Sequence, residues 1–238
     1  MPKDNFKKTA IRQRMAITDE SYSVARRAIE ASDWFSDFML MTGGMKPGLH
    51  VVAAEPKSGK TTFLIGVMKR FANNANALYV NAELSSDEIS TRMVDLGVGN
   101  DVRVLSGGIS LGDIADTLRF IRDTGNKTDV VIVDYINLFI PSPSDERYRF
   151  ALSVDQNVRI LSELAAEFEV PIVVALMASR EKAREFSAGA LSYSGSVEQS
   201  GSTVIHLSRE EGKRAILFKL IKSRFVPSGA ESAMPTRW

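Results

Sequence analysis

The chain has 238 residues, of which 44% are hydrophobic and 25% are charged, the composition of an ordinary globular protein. Its 30 basic and 29 acidic residues give a net charge of +1, whereas proteins that coat duplex DNA without sequence preference are usually strongly basic. The absence of cysteine excludes disulfides, thiolate zinc sites and cysteine nucleophiles, and the presence of only two histidines argues against a histidine-based metal site.

The two ends of the chain differ from its middle. Residues 1–16 are basic and polar, without the apolar core of a signal peptide, and they predict a flexible arm. In residues 17–32 the apolar side chains recur at helical spacing, which predicts an amphipathic helix that needs a partner surface. We assign residues 33–229 to one domain and residues 230–238 to a loose tail. No apolar run reaches the about 20 residues that span a bilayer, so we interpret the protein as cytoplasmic, with no membrane partner.

Strands and helices alternate through the middle of the chain. Apolar runs without polar alternation predict buried strands at 49–54, 77–82, 102–105, 130–134, 171–177, 203–207 and 215–221. Helices are expected at 61–71, 86–96, 111–122 and 153–168. This order predicts an α/β fold, a mostly parallel, twisted sheet with helices on both faces.

A phosphate-binding loop is predicted where the first of these strands meets the first helix. The run matches the pattern G-x-x-x-x-G-K-[ST], except that alanine replaces the first glycine. Backbone N–H groups at such a helix terminus surround phosphates, while Lys60 reaches the β- and γ-phosphates and Thr61 offers a hydroxyl to Mg²⁺. We therefore expect ATP and Mg²⁺ as cofactors. The nucleotide-binding residues are Ala54, Glu55, Pro56, Lys57, Ser58, Gly59, Lys60, Thr61 and Thr62.

Two acidic residues follow apolar strands and are candidates for a hydrolytic site. Asp134 ends the strand at 130–134 and would hold the metal together with Thr61, because ligands bind at the carboxyl ends of parallel strands. Glu83 follows the strand at 77–82 and can polarise water if that strand neighbours the phosphate-loop strand. The residues alone leave open that Asp134 is a turn cap and that Glu83 is a solvated acid.

Segments in the correct order resemble the RecA-like ATPase domain of the DnaB-type replicative helicases, over residues 34–229. The run from Glu83 to Met93 resembles the family stretch E-M-S-x-x-Q-L-x-x-R-M, and the run from Asp134 to Leu138 resembles D-Y-L-Q-L. Lys222-Ser223-Arg224, with the Pro-Ser-Gly that follows, resembles K-Q-R-x-G-P-T-G. The resemblance implies a RecA-like P-loop NTPase fold, with Glu83 as the catalytic acid and Asp134 as the metal-side acid.

The resemblance also implies an assembly. In that family the residues matching Lys222 and Arg224 reach the nucleotide of the neighbouring subunit, so ATP would be hydrolysed between subunits of a homo-oligomer, a hexameric ring that moves on single-stranded DNA. Residues 17–32 would be the linker-like helix that packs on the next subunit, and other replication proteins are possible partners. The chain departs from the family pattern at Met177, which occupies the usual polar sensor position, and at Ser200, where the family has an aspartate. We also interpret the chain as an ATPase core without the family's separate N-terminal domain.

In the family that the chain resembles, loops that point into the ring channel hold single-stranded nucleic acid, and the resemblance implies that residues 142–149 and 180–194 are the candidate loops here. The second loop carries Arg180, Lys182 and Arg184, and basic groups with nearby aromatic residues suit backbone tracking with base stacking. A solvated loop is the alternative interpretation, because two glutamates dilute the charge.

Three functions remain open at this point. The first is an ATP-driven motor on single-stranded DNA, a DnaB-like replicative helicase or a minimal relative. The second is a core-only RecA-type recombination or annealing ATPase, and the third is a nucleotide-switched replication adaptor with weak turnover, which Met177 would permit. Directional unwinding separates the first from the second, and ATP turnover separates both from the third.

Overall fold

The computed structural model describes residues 33–72, 76–98, 102–136, 146–177, 195–209 and 215–235, together with residues 12, 15 and 21–23. These residues form the following elements in chain order: α1 Trp34–Met41, β1 Gly48–Ala54, α2 Lys60–Ala72, β2 Ala77–Asn81, α3 Ser86–Asp95, β3 Val102–Ser106, α4 Leu111–Asp123, β4 Val130–Asp134, α5 Glu146–Glu167, β5 Pro171–Met177, α6 Gly195–Ser200, β6 Thr203–Ser208, β7 Ala215–Ser223 and β8 Glu231–Pro235.

The strands form one sheet in the order β3-β2-β4-β5-β1-β6-β7-β8. The strands from β3 to β6 in this order are parallel, and β7 and β8 join at one edge as antiparallel strands. The phosphate-loop strand β1 therefore lies inside the sheet, between β5 and β6. The predicted α/β fold with a mostly parallel sheet is confirmed.

Helices cover both faces of the sheet, as expected from the uninterrupted apolar strands. Within β1, Val52 packs with α1 and α2 on one face, whereas Val51 belongs to the cluster beneath α4 and α5 on the other. On the first face the rings of Phe38, Phe63 and Phe218 meet edge-on or tilted, with centroids 5.5–6.4 Å apart. Both faces of each central strand are buried, which removes the polar alternation of a half-exposed strand.

The predicted loose tail at 230–238 is wrong for residues 231–235, because these form the edge strand β8. Met234 is buried beside α2, and Lys219 of β7 forms an ion pair with Glu231 at 2.8 Å. The Ser232 hydroxyl donates to the Asp37 carboxylate of α1 at 2.6 Å. The segment has no long apolar run, because in β8 only Met234 is buried.

Two helices also differ from the expected set. Residues 34–41, where no helix is predicted from the sequence, form α1, which Asp33 caps by accepting a hydrogen bond from the Ser36 N–H. Helix α5 begins at Glu146 rather than at residue 153, so the last four residues of the expected 142–149 loop are helical. None of the helices in the described ranges has the length and apolarity needed to cross a membrane.

Candidate functional site

The predicted phosphate loop connects β1 to α2 at the carboxyl edge of the parallel strands. It folds around the Glu55 carbonyl, which accepts hydrogen bonds from the Ser58 N–H at 3.3 Å and the Ser58 hydroxyl at 2.7 Å. Lys57 and Gly59 both have a positive φ, of 63° and 95°. Such a curled loop at a helix N-terminus directs backbone N–H groups inward, which is the geometry that binds phosphate.

Gly59 is required by packing as well as by conformation. A Cβ at this position would lie 2.6 Å from Cδ1 of Ile216, a fully buried side chain of β7. The phosphate-loop pattern explains Gly59 by the need for the phosphate to approach the backbone closely. The tertiary structure adds that β7 supports the loop from behind.

Lys60 is a buried cation at the start of α2. Its side chain is 7% exposed, and Nζ donates to the Glu55 carbonyl at 3.3 Å. Burial lowers the pKa of Lys60, and the negative charges of Glu83 and Asp134 oppose that shift. The structure therefore brings the predicted phosphate-binding lysine and both predicted acids together.

Asp134 is completely buried at the end of β4. The Tyr79 hydroxyl donates to its Oδ2 at 2.9 Å, and Oδ1 is a buried oxygen with no hydrogen-bond partner among the described residues. Burial raises the pKa of Asp134, whereas the neighbouring Thr61 and Tyr79 hydroxyls and Lys60 lower it. A buried carboxylate oxygen left free beside a hydroxyl is the kind of oxygen donor set that Mg²⁺ takes. Thr61 and Asp134 thus fit the predicted metal.

Glu83 lies in the turn after β2, exposed at the same edge. The condition set for its role, that its strand neighbours the phosphate-loop strand, is not met: β2 pairs with β3 and β4, while β5 and β6 flank β1. Glu83 still comes near the site because the Ala82 N–H donates to the Asp134 carbonyl at 2.8 Å, joining the ends of β2 and β4. Burial and Asp134 raise the pKa of Glu83, and Lys60 and Arg92 lower it.

A buried asparagine fixes the turn that carries Glu83. Asn81 donates through Nδ2 to the Leu84 carbonyl at 2.6 Å and accepts from the Leu84 N–H at 3.0 Å. Ser85 then caps α3 in a reciprocal capping box with Glu88. Neither Asn81 nor Tyr79 was among the predicted site residues. The signal in the sequence is a polar group inside an apolar strand, which needs a hydrogen-bond partner when buried.

Met177 ends β5 directly beside Ala54, the last residue of β1. This is the carboxyl edge of the sheet, where the polar sensor of the related ATPases was expected. The thioether of Met177 is partly buried there. A thioether has no hydrogen to donate to a phosphate oxygen.

Lys222 and Arg224 lie at the opposite edge of the sheet. Because β7 is antiparallel to β6, its end at Ser223 is in register with Thr203, at the amino end of the parallel strands. Lys222 Nζ donates to the Gly201 carbonyl at 3.3 Å, and the Arg224 guanidinium donates to the Gln199 carbonyl. The two cations therefore lie together at the carboxyl end of α6, and the structure does not bring them to the phosphate loop of their own chain.

The predicted DNA-contacting residues Arg180, Lys182 and Arg184 lie outside the described residues. The same holds for the arm at 1–16 and the helix at 17–32, apart from residues 12, 15 and 21–23.

Known proteins with similar sequences cover most of the chain. A DNA repair protein RadA from Aquifex aeolicus (strain VF5) is 24% identical over 79% of this chain and 40% of its own length. A replicative DNA helicase DnaB from Haemophilus influenzae (strain ATCC 51907 / DSM 11121 / KW20 / Rd) is 24% identical over 74% of this chain and 46% of its own. The chain thus spans less than half the length of these two relatives.

The fold has a solved counterpart as well. A structure described as that of a DnaB-like replicative helicase and its interactions with primase superposes with a TM-score of 0.70 at 19% identity, covering 98% of this chain and 71% of that one. This similarity confirms the RecA-like fold class. The family model described as the DnaB-like helicase C terminal domain matches residues 32–103 and 102–219. The chain therefore belongs to the DnaB-like helicase C terminal domain family.

Proposed function

We propose that this chain is the ATPase core of a DnaB-like replicative helicase, an ATP-driven motor on single-stranded DNA. The observation that carries the proposal is the convergence of Lys60, Thr61, Glu83 and Asp134 at the carboxyl edge of the sheet. Four residues from three separate parts of the chain there combine phosphate binding, metal binding and water activation. Family membership supports the same activity.

In this proposal each group has a defined task. The loop N–H groups and Lys60 bind the phosphates of ATP, and Thr61 and Asp134 hold Mg²⁺, which neutralises phosphate charge when bound. Glu83 accepts a hydrogen bond from the attacking water and takes up its proton. A raised pKa suits Glu83 to this task, because a carboxylate with a higher pKa is the stronger base.

The position of Arg224 supports hydrolysis between subunits. Seven residues of β1 separate the two edges of the sheet, which is about 20 Å at the rise of a β-strand. Arg224 is at the edge away from its own phosphate loop, so it serves a nucleotide only when a second copy presents its loop there. A ring of identical subunits repeats this contact at every interface, and we propose a homo-oligomeric, hexameric ring.

We propose that Arg180, Lys182 and Arg184 contact the single-stranded DNA. Replacing Arg180 and Lys182 by alanine is expected to weaken single-strand binding and reduce its dependence on salt. Contacts with other replication proteins belong to the same proposal.

A second candidate, a recombination or repair ATPase, is favoured by one observation. A DNA repair protein, RadA of Aquifex aeolicus, matches 79% of the chain, a share that lies between the 74% and 82% matched by the DnaB helicases of Haemophilus influenzae and Geobacillus stearothermophilus. Such an enzyme would hydrolyse ATP on single strands without unwinding a fork directionally.

The test is ATP turnover and unwinding on forked DNA, with Lys60→Ala as the inactive control. We expect single strands to stimulate turnover, and forks to be opened with one polarity only. Lys60→Ala should lose tight binding of Mg-ATP, because it removes the buried cation at the β- and γ-phosphates. Turnover on single strands without fork opening would favour the recombination ATPase, and the absence of turnover would contradict both.

A further inference from the structure

Tyr79 is a phenol inside an otherwise apolar part of β2. Its side chain is 0% exposed, and a buried hydroxyl is costly unless it has a hydrogen-bond partner. The Tyr79 hydroxyl has one such partner, Oδ2 of Asp134, at 2.9 Å. None of the sequence motifs in this chain assigns a role to this residue.

The strand register explains how the two residues meet. Asn81 pairs with Asp134 and Tyr79 pairs with Ile132, so Tyr79 is the diagonal neighbour of Asp134 on the same face of the sheet. Neighbouring strands lie about 4.8 Å apart and rise about 3.3 Å per residue, so the Cα atoms of the two residues are about 8 Å apart. A tyrosine side chain spans that gap, whereas serine or threonine is too short.

The hydrogen bond divides the Asp134 carboxylate into two different oxygens. Oδ2 is held by Tyr79, while Oδ1 is buried and has no hydrogen-bond partner within the described ranges. A carboxylate held at one oxygen has its rotation about χ2 restricted. The remaining oxygen is then kept in one direction, on a carboxylate that interacts with Thr61 and Lys60.

We propose that Tyr79 is a positioning residue that holds Asp134 with Oδ1 free to bind the Mg²⁺ of the bound nucleotide. The inference rests on the proposed function, in which Asp134 and Thr61 hold that ion. Groups that orient a metal ligand typically change metal affinity by roughly 10–100-fold when they are removed.

The test is Tyr79→Phe, which removes one oxygen and keeps the buried ring. Binding of a fluorescent ATP analogue is titrated with MgCl₂ and repeated in EDTA. We expect the Mg²⁺ concentration at half-maximal binding to rise about tenfold, with affinity in EDTA unchanged, because only metal coordination is disturbed. Tyr22→Phe is the matched control, since the same atom is removed from an exposed side chain, and it should titrate like the wild type.

A second measurement separates positioning from folding. In an Asp134→Asn background, adding Tyr79→Phe should produce no further change in the Mg²⁺ titration, because the oriented carboxylate is already gone. An unchanged titration in folded Tyr79→Phe, or a variant that fails to fold, would overturn the positioning role while leaving the ATPase proposal intact. If the wild type binds the nucleotide without any response to Mg²⁺, both proposals fall.

Discussion

At the scale of single residues, the informative side chains are polar groups buried in apolar strands. Tyr79, Asn81 and Asp134 lie at the carboxyl edge, and His50 lies near the amino edge. Each has a hydrogen-bond partner that determines its orientation. Burying an unpartnered polar group costs free energy, so such residues mark places where the fold requires one specific geometry.

His50 illustrates this on β1. Its Nε2 lies 2.8 Å from the Lys46 carbonyl, which can only accept, so Nε2 carries the proton. Nδ1 then accepts from the Thr203 hydroxyl at 2.9 Å. Both ring nitrogens are satisfied in the neutral form, and burial lowers the pKa of His50 from 6.5 to about 4.

The lowered pKa predicts a loss of stability in acid. The unfolded chain protonates this histidine near pH 6.5 and the folded chain only near pH 4. Its contribution is therefore fully present above pH 6.5 and is lost as the pH falls to about 4. Between pH 7.5 and pH 5 we expect about 2 kcal/mol of the free energy of unfolding to disappear through His50.

Urea unfolding of the wild type and of His50→Gln at the two pH values measures this contribution. Glutamine does not titrate, so the drop in the free energy of unfolding should be smaller in the variant by that amount. The comparison cancels the carboxylates, whose titration is common to both proteins. Equal drops in the two proteins would contradict the assignment.

At the scale of elements, the site is assembled where strands end. The turn between β2 and α3 carries Glu83, with Asn81 bonded to Leu84 on one side and the Ser85 capping box on the other. The turn is short and hydrogen-bonded at both ends, so the strand and the helix position the exposed acid.

Asn81→Ala is predicted to lower kcat while leaving ATP affinity unchanged. The variant removes both hydrogen bonds to Leu84 and lets Glu83 move away from the attacking water, which we expect to cost roughly 10–100-fold in turnover. Asn76→Ala, an exposed asparagine just before the same strand, is the control. Steady-state turnover measures the change in kcat, and equilibrium binding measures ATP affinity. Weakened ATP binding with normal kcat would contradict this role of Asn81.

At the scale of the whole molecule, the sheet separates two groups of polar residues. The phosphate loop, Glu83 and Asp134 lie at its carboxyl edge, and Lys222 and Arg224 lie at its amino edge. In the proposed function these are two half-sites that face different directions. In the proposed ring, each complete site has one half from each of two neighbours.

Arg224→Ala is expected to bind ATP normally and to hydrolyse it poorly. A guanidinium supplied by a neighbour stabilises charge on the γ-phosphoryl oxygens and is worth roughly 10³–10⁵-fold in rate. Arg103→Ala, an exposed arginine of the edge strand β3, is the matched control and should keep full turnover.

Mixing subunits tests whether Arg224 acts across the interface. Glu83→Gln should also bind ATP, but its turnover should be lower than that of the wild type by roughly 10²–10⁴-fold. Combining it with Arg224→Ala should restore part of the activity, because some interfaces then hold an intact Glu83 and an intact Arg224. A mixture that exchanges subunits and stays inactive would contradict the trans role, as would a monomer with full turnover.

The local parts of the structure could be predicted from the sequence. The strand β4, the helices α2, α3 and α4 and the phosphate loop lie within one or two residues of their expected bounds. These features depend on short-range patterns: apolar runs, capping serines and a glycine-lysine pair. The conformations that they favour are set by residues a few positions apart.

Only the tertiary structure decided which strands are neighbours and which side chains meet. Four features depend on strand order and register: the two strands between β1 and β2, the edge strand β8, the Tyr79–Asp134 hydrogen bond, and the placement of Arg224 away from its own loop. Strand pairing joins residues far apart in the chain, and a short pattern carries no information about which strand will be its neighbour. The sequence by itself determined the chemistry of the groups, and the packing of the sheet determined which groups meet.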